Sequence, residues 1–154
     1  MNRIQIKNLI SQIENNFQDF YSLLSPLLEN HKKLNKKQLK HLSKYLGLVN
    51  FYESEMIEYC LQKILNEEHP YITDINLKRI QSKVDFQDFS LEDRIDIFFQ
   101  QRQKLIQMLN TATLEQWDRT GVLSEEGHVT FFQLMERFLK KSKHIFDYIQ
   151  KSLT

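Results

Sequence analysis

Apolar residues recur along this chain at helical spacing in four long blocks. In the first, from about Arg3 to Leu24, Ile6, Ile10, Ile13, Phe17, Phe20 and Leu24 follow at intervals of four and three, an unbroken face of one helix. Ser25-Pro26 is expected to bend or end it, because proline lacks an N–H and disfavours helical geometry in the residue before it. The second block starts near Lys36 and continues to about Asn66, with Leu39, Leu42, Leu46, Val49, Glu53, Met56 and Cys60 in the stripe. The third opens at Ser90, an N-cap followed by Glu92 and Asp93 where acids favour the helix dipole; its stripe is Leu91, Ile95, Phe98, Arg102, Leu105 and Leu109. The fourth begins with the capping pair Thr130 and Gln133 and carries Phe131, Leu134, Phe138, Lys141, Ile145 and Tyr148.

The segments between are short on regular pattern. Glu67 to Phe89 is too long for an unstructured loop, and Leu77, Ile80 and Val84 at helical spacing predict a short helix packed across the bundle. Thr113 and Gln116 form a capping pair for one turn ending at Trp117, and Asp118 to Val129 reads as a loop. Trp117 is expected to anchor that loop, with Gly121 and Gly127 supplying backbone angles that other residues resist. Four amphipathic faces are most simply buried against one another, so the chain is predicted to be all-α, a four-helix bundle with short accessory helices in a single domain over residues 1–154.

Composition agrees. The 154 residues include only three Gly and two Pro, little material for the turns of a strand-rich fold, against eleven Phe and six Tyr for a core. A formal net charge of +1 does not favour a general nucleic-acid binder. The N-terminal segment is neither a signal peptide nor a membrane span, and no apolar run is long enough to cross a bilayer. The single cysteine, Cys60, excludes an internal disulfide framework and suits a reducing compartment; the expected location is cytoplasmic. Cys60 falls on an apolar stripe and is expected to be an inert core residue. Six lysines between Lys32 and Lys44 read as a solvated connector and helix start.

Each of the last three blocks has one charged residue in its apolar stripe: Glu53, Arg102 and Lys141. Buried charges cost several kcal/mol each unless paired. The three are therefore expected to cluster, with Glu53 as the counter-ion of Lys141. Motifs of hydrolysis or phosphate transfer are absent: there is no G-x-S-x-G, phosphate loop, H-E-x-x-H or C-x-x-C.

The run WDRTGVLSEEGHVTFFQL, from Trp117 onward, resembles the loop-and-helix signature of the DinB-like superfamily. ILNEEHP (Ile64 to Pro70) is similar to the end of that family's second helix, and Phe98 or Phe99 with Arg102 and Leu105 to its third. The resemblance implies a four-helix bundle with a divalent metal, zinc or nickel, held by three histidines. One comes from the second helix and two, four residues apart, from the last. It also implies thiol-dependent transferases and isomerases among the relatives, using bacillithiol, mycothiol or glutathione, and frequent dimers. Aligned on Thr130, the last-helix ligand positions fall on Lys141 and Ile145, and the second-helix position on Leu48 or Val49. His144 is one residue away, a rotation of about 100°, and His41 lies about 10 Å too early along its helix. Zinc needs three or four converging ligands. No metal is therefore expected, with His144 the one weak candidate ligand.

These readings favour a small-molecule-binding protein whose pocket is lined by Leu48, Val49, Glu53, Arg102, Lys141 and Ile145. The alternatives are a thiol-dependent S-transferase or other metal-dependent enzyme, with a divalent metal or a low-molecular-weight thiol as cofactor, and a structural homodimer. No nucleic-acid or membrane partner is expected.

Overall fold

The helices begin where side chains can satisfy the free N–H groups of a first turn. Reciprocal capping boxes join Asn2 to Gln5, Asn35 to Gln38, Ser90 to Asp93, Thr113 to Gln116 and Thr130 to Gln133. In the computed structural model, which describes residues 1–30, 33–73, 75–124 and 126–154, these caps open α1 (Arg3–Glu29), α2 (Lys36–Glu55), α5 (Leu91–Thr111), α6 (Leu114–Trp117) and α7 (Phe131–Leu153). His31 and Lys32, at the head of the lysine-rich run, lie outside the described residues. The second helix continues through a π-helical turn (Met56–Leu61) into α3 (Gln62–Asn66), and α4 (Leu77–Phe86) fills the long connection as predicted. No described helix is long and apolar enough to cross a membrane.

Two local expectations need correction. Pro26 neither ends nor replaces the last turn of α1, because Leu24 and Leu27 on either side are buried and hold the helix to Glu29. The segment expected to be a loop is a hairpin. β2 (Thr120–Leu123) and β3 (Gly127–Thr130) pair antiparallel, and β1 (Tyr71–Ile72) joins β2 in parallel. The strands are too short and polar to show an alternating pattern.

Several residues of the Trp117 segment fix this sheet to the bundle. Trp117 is buried and meets Phe131 edge-on, with ring centroids 4.9 Å apart. Arg119 donates from Nε to the Ile64 carbonyl and from Nη2 to that of Glu67, 2.8 Å each, so it caps the C-terminus of α3. Gly127 has the positive φ (75°) that favours glycine. Gly121 does not; it is small because a Cβ there would lie 2.7 Å from Ile72 Cδ1.

The core forms two apolar layers. One gathers Ile6 to Ile13, Ile57 to Ile64, Leu105, Leu109, Trp117 and Phe131 to Leu139. The other gathers Phe17 to Leu27, Leu42 to Val49, Leu91 to Phe99 and Ile149. Between them lies a polar centre built on Arg102, which is fully buried. Its Nε and Nη2 donate to the two carboxylate oxygens of Glu53 at 3.0 and 2.5 Å. Nη1 donates to Asn16 Oδ1 at 3.0 Å, and Nη2 also to Ser142 Oγ at 2.8 Å. Ser142 in turn donates to Asn16 at 2.5 Å. Phe20, Phe98 and Phe138 surround the guanidinium, 4.7 to 5.2 Å from ring centroid to Cζ. Each long helix thus contributes one polar residue.

Glu53 and Arg102 meet as expected, but Lys141 does not join them. The inward face of α7 carries Phe131, Met135, Phe138, Leu139, Ser142 and Ile149, while Lys141 and Tyr148 are exposed. The physical reason is that Arg102 already neutralises Glu53. A second cation would add a desolvation penalty without a new partner, whereas the Ser142 hydroxyl fits between Arg102 and Asn16. Lys141→Met is accordingly expected to leave stability within about 0.5 kcal/mol of the parent. Ser142→Lys, which places a cation against Arg102, is expected to lose more than about 3 kcal/mol. Urea unfolding followed by circular dichroism measures both; a larger loss at Lys141 than at Ser142 would mean that α7 sits in the other register.

Candidate functional site

Consecutive helical residues are rotated by about 100°, so the neighbours of Glu53 and Ser142 leave the core. Tyr52 on α2 and Lys141 on α7 point to the other side of the contact between these helices and reach each other there. The Lys141 ammonium lies over the Tyr52 ring, 3.6 Å from its centroid. Beside this pair opens a cavity of about 390 Å³.

Three elements build its walls. The π-helical turn supplies Met56, Cys60 and Leu61; the segment from β1 to the start of α4 supplies Ile72, Thr73, Ile75 and Leu77; and α7 supplies Leu134, Arg137, Phe138 and Lys141. Leu123, Ser124 and Glu126 of the hairpin complete the rim. A π turn widens the helix by one residue per hydrogen-bonded ring and is frequent at functional sites. Here it sets Cys60 and Leu61 side by side, both buried and both on the cavity wall. Phe138 belongs to the cavity and also packs on Arg102, so the wall shares a side chain with the polar centre.

The interior is mainly apolar and the charge lies at the rim. Arg137 and Lys141, four residues apart on α7, project on one face. Arg137 is ion-paired with Glu126, and both side chains are about half exposed (50% and 51%). Lys141 has no carboxylate within ion-pair distance among the described residues. Burial, reinforced by the nearby Glu55 carboxylate, raises the pKa of the Cys60 thiol, which keeps it protonated and weakly nucleophilic.

Of the six residues grouped from the sequence as a pocket, Lys141 lies on this cavity. Val49 and Ile145 belong to the apolar layer that contains Phe17 to Leu27, Leu48 is half-buried, and Glu53 and Arg102 are sealed in the polar centre. The grouping is corrected by the register of α7, which turns Lys141 outward while Ile145 faces the core. His144 is exposed and away from the cavity. No set of three or more His, Cys, Asp or Glu side chains placed to hold a metal ion occurs among the described residues. Among the described residues of the cavity, the cysteine and carboxylate side chains are Cys60 and Glu126.

Sequence reasoning missed Asn16, Ser142, Tyr52, Met56, Leu134 and Arg137. The first two are small polar residues bordering strong apolar stripes. Tyr52 and Arg137 lie one step outside the stripes and Met56 and Leu134 lie on them, and the π turn and the hairpin give the four a common space. The signal that was present is the spacing of Arg137 and Lys141, two cations one helical turn apart.

No protein-family model and no curated protein matches the sequence. Among solved structures, the chain is similar to YfiT from Bacillus subtilis, described as a probable metal-dependent hydrolase with an unusual four-helix bundle topology. The TM-score is 0.79 over 99% of this chain and 87% of that one, at 13% identity. The likeness is one of fold: the chain is mainly helical and has a four-helix-bundle architecture.

Proposed function

We propose that the chain binds a small, mainly apolar molecule in the cavity between the π turn, the hairpin and α7, and that it does so without a bound metal. The observation that carries this reading is the cavity itself. Its volume of about 390 Å³ falls in the range of small-molecule sites, and its apolar walls carry a few polar groups at one edge, the usual composition of such sites.

The likeness to YfiT raises metal-dependent chemistry as a comparison, and the donor set speaks against it here. A divalent ion requires several converging ligands. Cys60 is a protonated thiol shielded by burial, and the Glu126 carboxylate is engaged by Arg137. Of the two last-helix positions where the resemblance to the DinB-like family implies histidines, Ile145 packs on the core and Lys141 lies on the cavity, one turn after Arg137. Two fixed cations repel a third. These residues do not fit a metal, and the metal site implied by the resemblance is read as lost.

Two measurements test the proposal. Metal analysis of the purified protein after zinc and nickel loading is expected to find well under one equivalent of either; a full equivalent that survives dialysis would overturn the metal-free reading. N-phenyl-1-naphthylamine, a neutral fluorescent probe, is expected to bind at one site with enhanced emission. Leu134→Trp, which fills the cavity from α7, is expected to abolish that binding while changing stability by less than about 1 kcal/mol, because the indole enters existing space and does not overpack a core. Unchanged probe binding in a folded Leu134→Trp protein would remove the cavity as the site.

A further inference from the structure

The charge at the rim narrows the class of ligand. Lys141 has an apolar cavity on one side and the Tyr52 ring under its ammonium, but no carboxylate among the described residues. Arg137, one turn earlier, already has its acid in Glu126. Among the described residues the rim therefore carries two cations, Arg137 and Lys141, against one carboxylate, Glu126, beside the apolar side chains of Met56, Leu61, Leu134 and Phe138.

From this geometry we infer that the ligand is an amphipathic anion, a hydrocarbon body ending in one carboxylate. The inference rests on the reading of the cavity as a binding site and specifies the chemistry of its occupant. The hydrocarbon body covers the apolar walls. The carboxylate takes the ammonium of Lys141 from the ring of Tyr52, exchanging an exposed cation–π contact for a charge-assisted hydrogen bond, which is the stronger of the two. A ligand with two negative charges would need Arg137 as well, and Glu126 opposes its approach. A cationic ligand meets Lys141 and Arg137 at the entrance. A neutral apolar ligand gains the walls but leaves the lysine unmatched.

Lys141 is exposed and outside the polar centre, so its replacement leaves the fold intact and isolates its effect on binding. The test compares octanoate with octan-1-ol, which differ in the charged end but share the hydrocarbon body, by isothermal titration calorimetry on the full chain. Octanoate is expected to bind about threefold to fivefold more tightly than the alcohol, the modest preference of a partly solvated ion pair. Rising salt should erode the preference. In Lys141→Met the preference for octanoate over the alcohol is expected to be lost. Equal affinities in the parent protein would overturn the anion inference and leave the cavity reading standing. Binding of neither compound would overturn both. A preference for octanoate that survives Lys141→Met would overturn the assignment of the anion to this lysine.

Discussion

One guanidinium organises this bundle. Arg102 is fully buried on α5 and reaches a polar side chain on each of the other long helices: Asn16 on α1, Glu53 on α2 and Ser142 on α7. Isolated burial of such a charge would be prohibitive. Here the carboxylate of Glu53 accepts from two of its nitrogens, the remaining directions meet Asn16 and Ser142, and three aromatic faces fill the space around it. Replacing such a pair by hydrocarbon is often neutral or stabilising. Its clearest physical consequence is therefore specificity: a one-residue slip of any helix breaks a directional bond that apolar packing alone would tolerate.

That register has an effect on the outer surface. With Glu53 and Ser142 turned inward, their sequence neighbours Tyr52 and Lys141 are turned outward, where α2 and α7 meet the hairpin. The π turn then carries Met56, Cys60 and Leu61 to the wall of the same space. The Arg119 side chain fastens the end of the second helix to the segment leading into the hairpin, so the opposite wall is fixed as well. The polar centre and the cavity are two faces of one helix pair. Phe138 is the side chain that touches both.

Much of the fold was legible in the sequence because it depends on strong local signals. The stripes of α1, α2 and α5 and the caps of α5, α6 and α7 are read from apolar spacing and short polar residues, and the structure contains them. The register of α7 was less legible, since Phe131 and Phe138 belong to either of two stripes. Only the hydrogen-bonding needs of Arg102 choose Ser142 over Lys141. The hairpin was hidden because four-residue strands with mixed burial show no clean alternation. The cavity was hidden for a deeper reason. It is assembled from residues both on and beside the stripes, brought together by a π turn and a sheet that no periodicity announces. Lys141 stood out for being misplaced in an apolar pattern, and the structure gives it a different setting from the one that pattern implied.

The dependence of the bundle on the buried pair is tested most directly by a double-mutant cycle. Glu53→Met, Arg102→Met and the double variant are compared with the parent by urea denaturation. Each single change leaves one buried charge without its partner and is expected to lose about 3–5 kcal/mol. The double change removes both charges together, so it is expected to be more stable than either single variant. A double variant less stable than both singles, with losses that simply add, would contradict the view that Glu53 and Arg102 act as one unit at the centre of the fold.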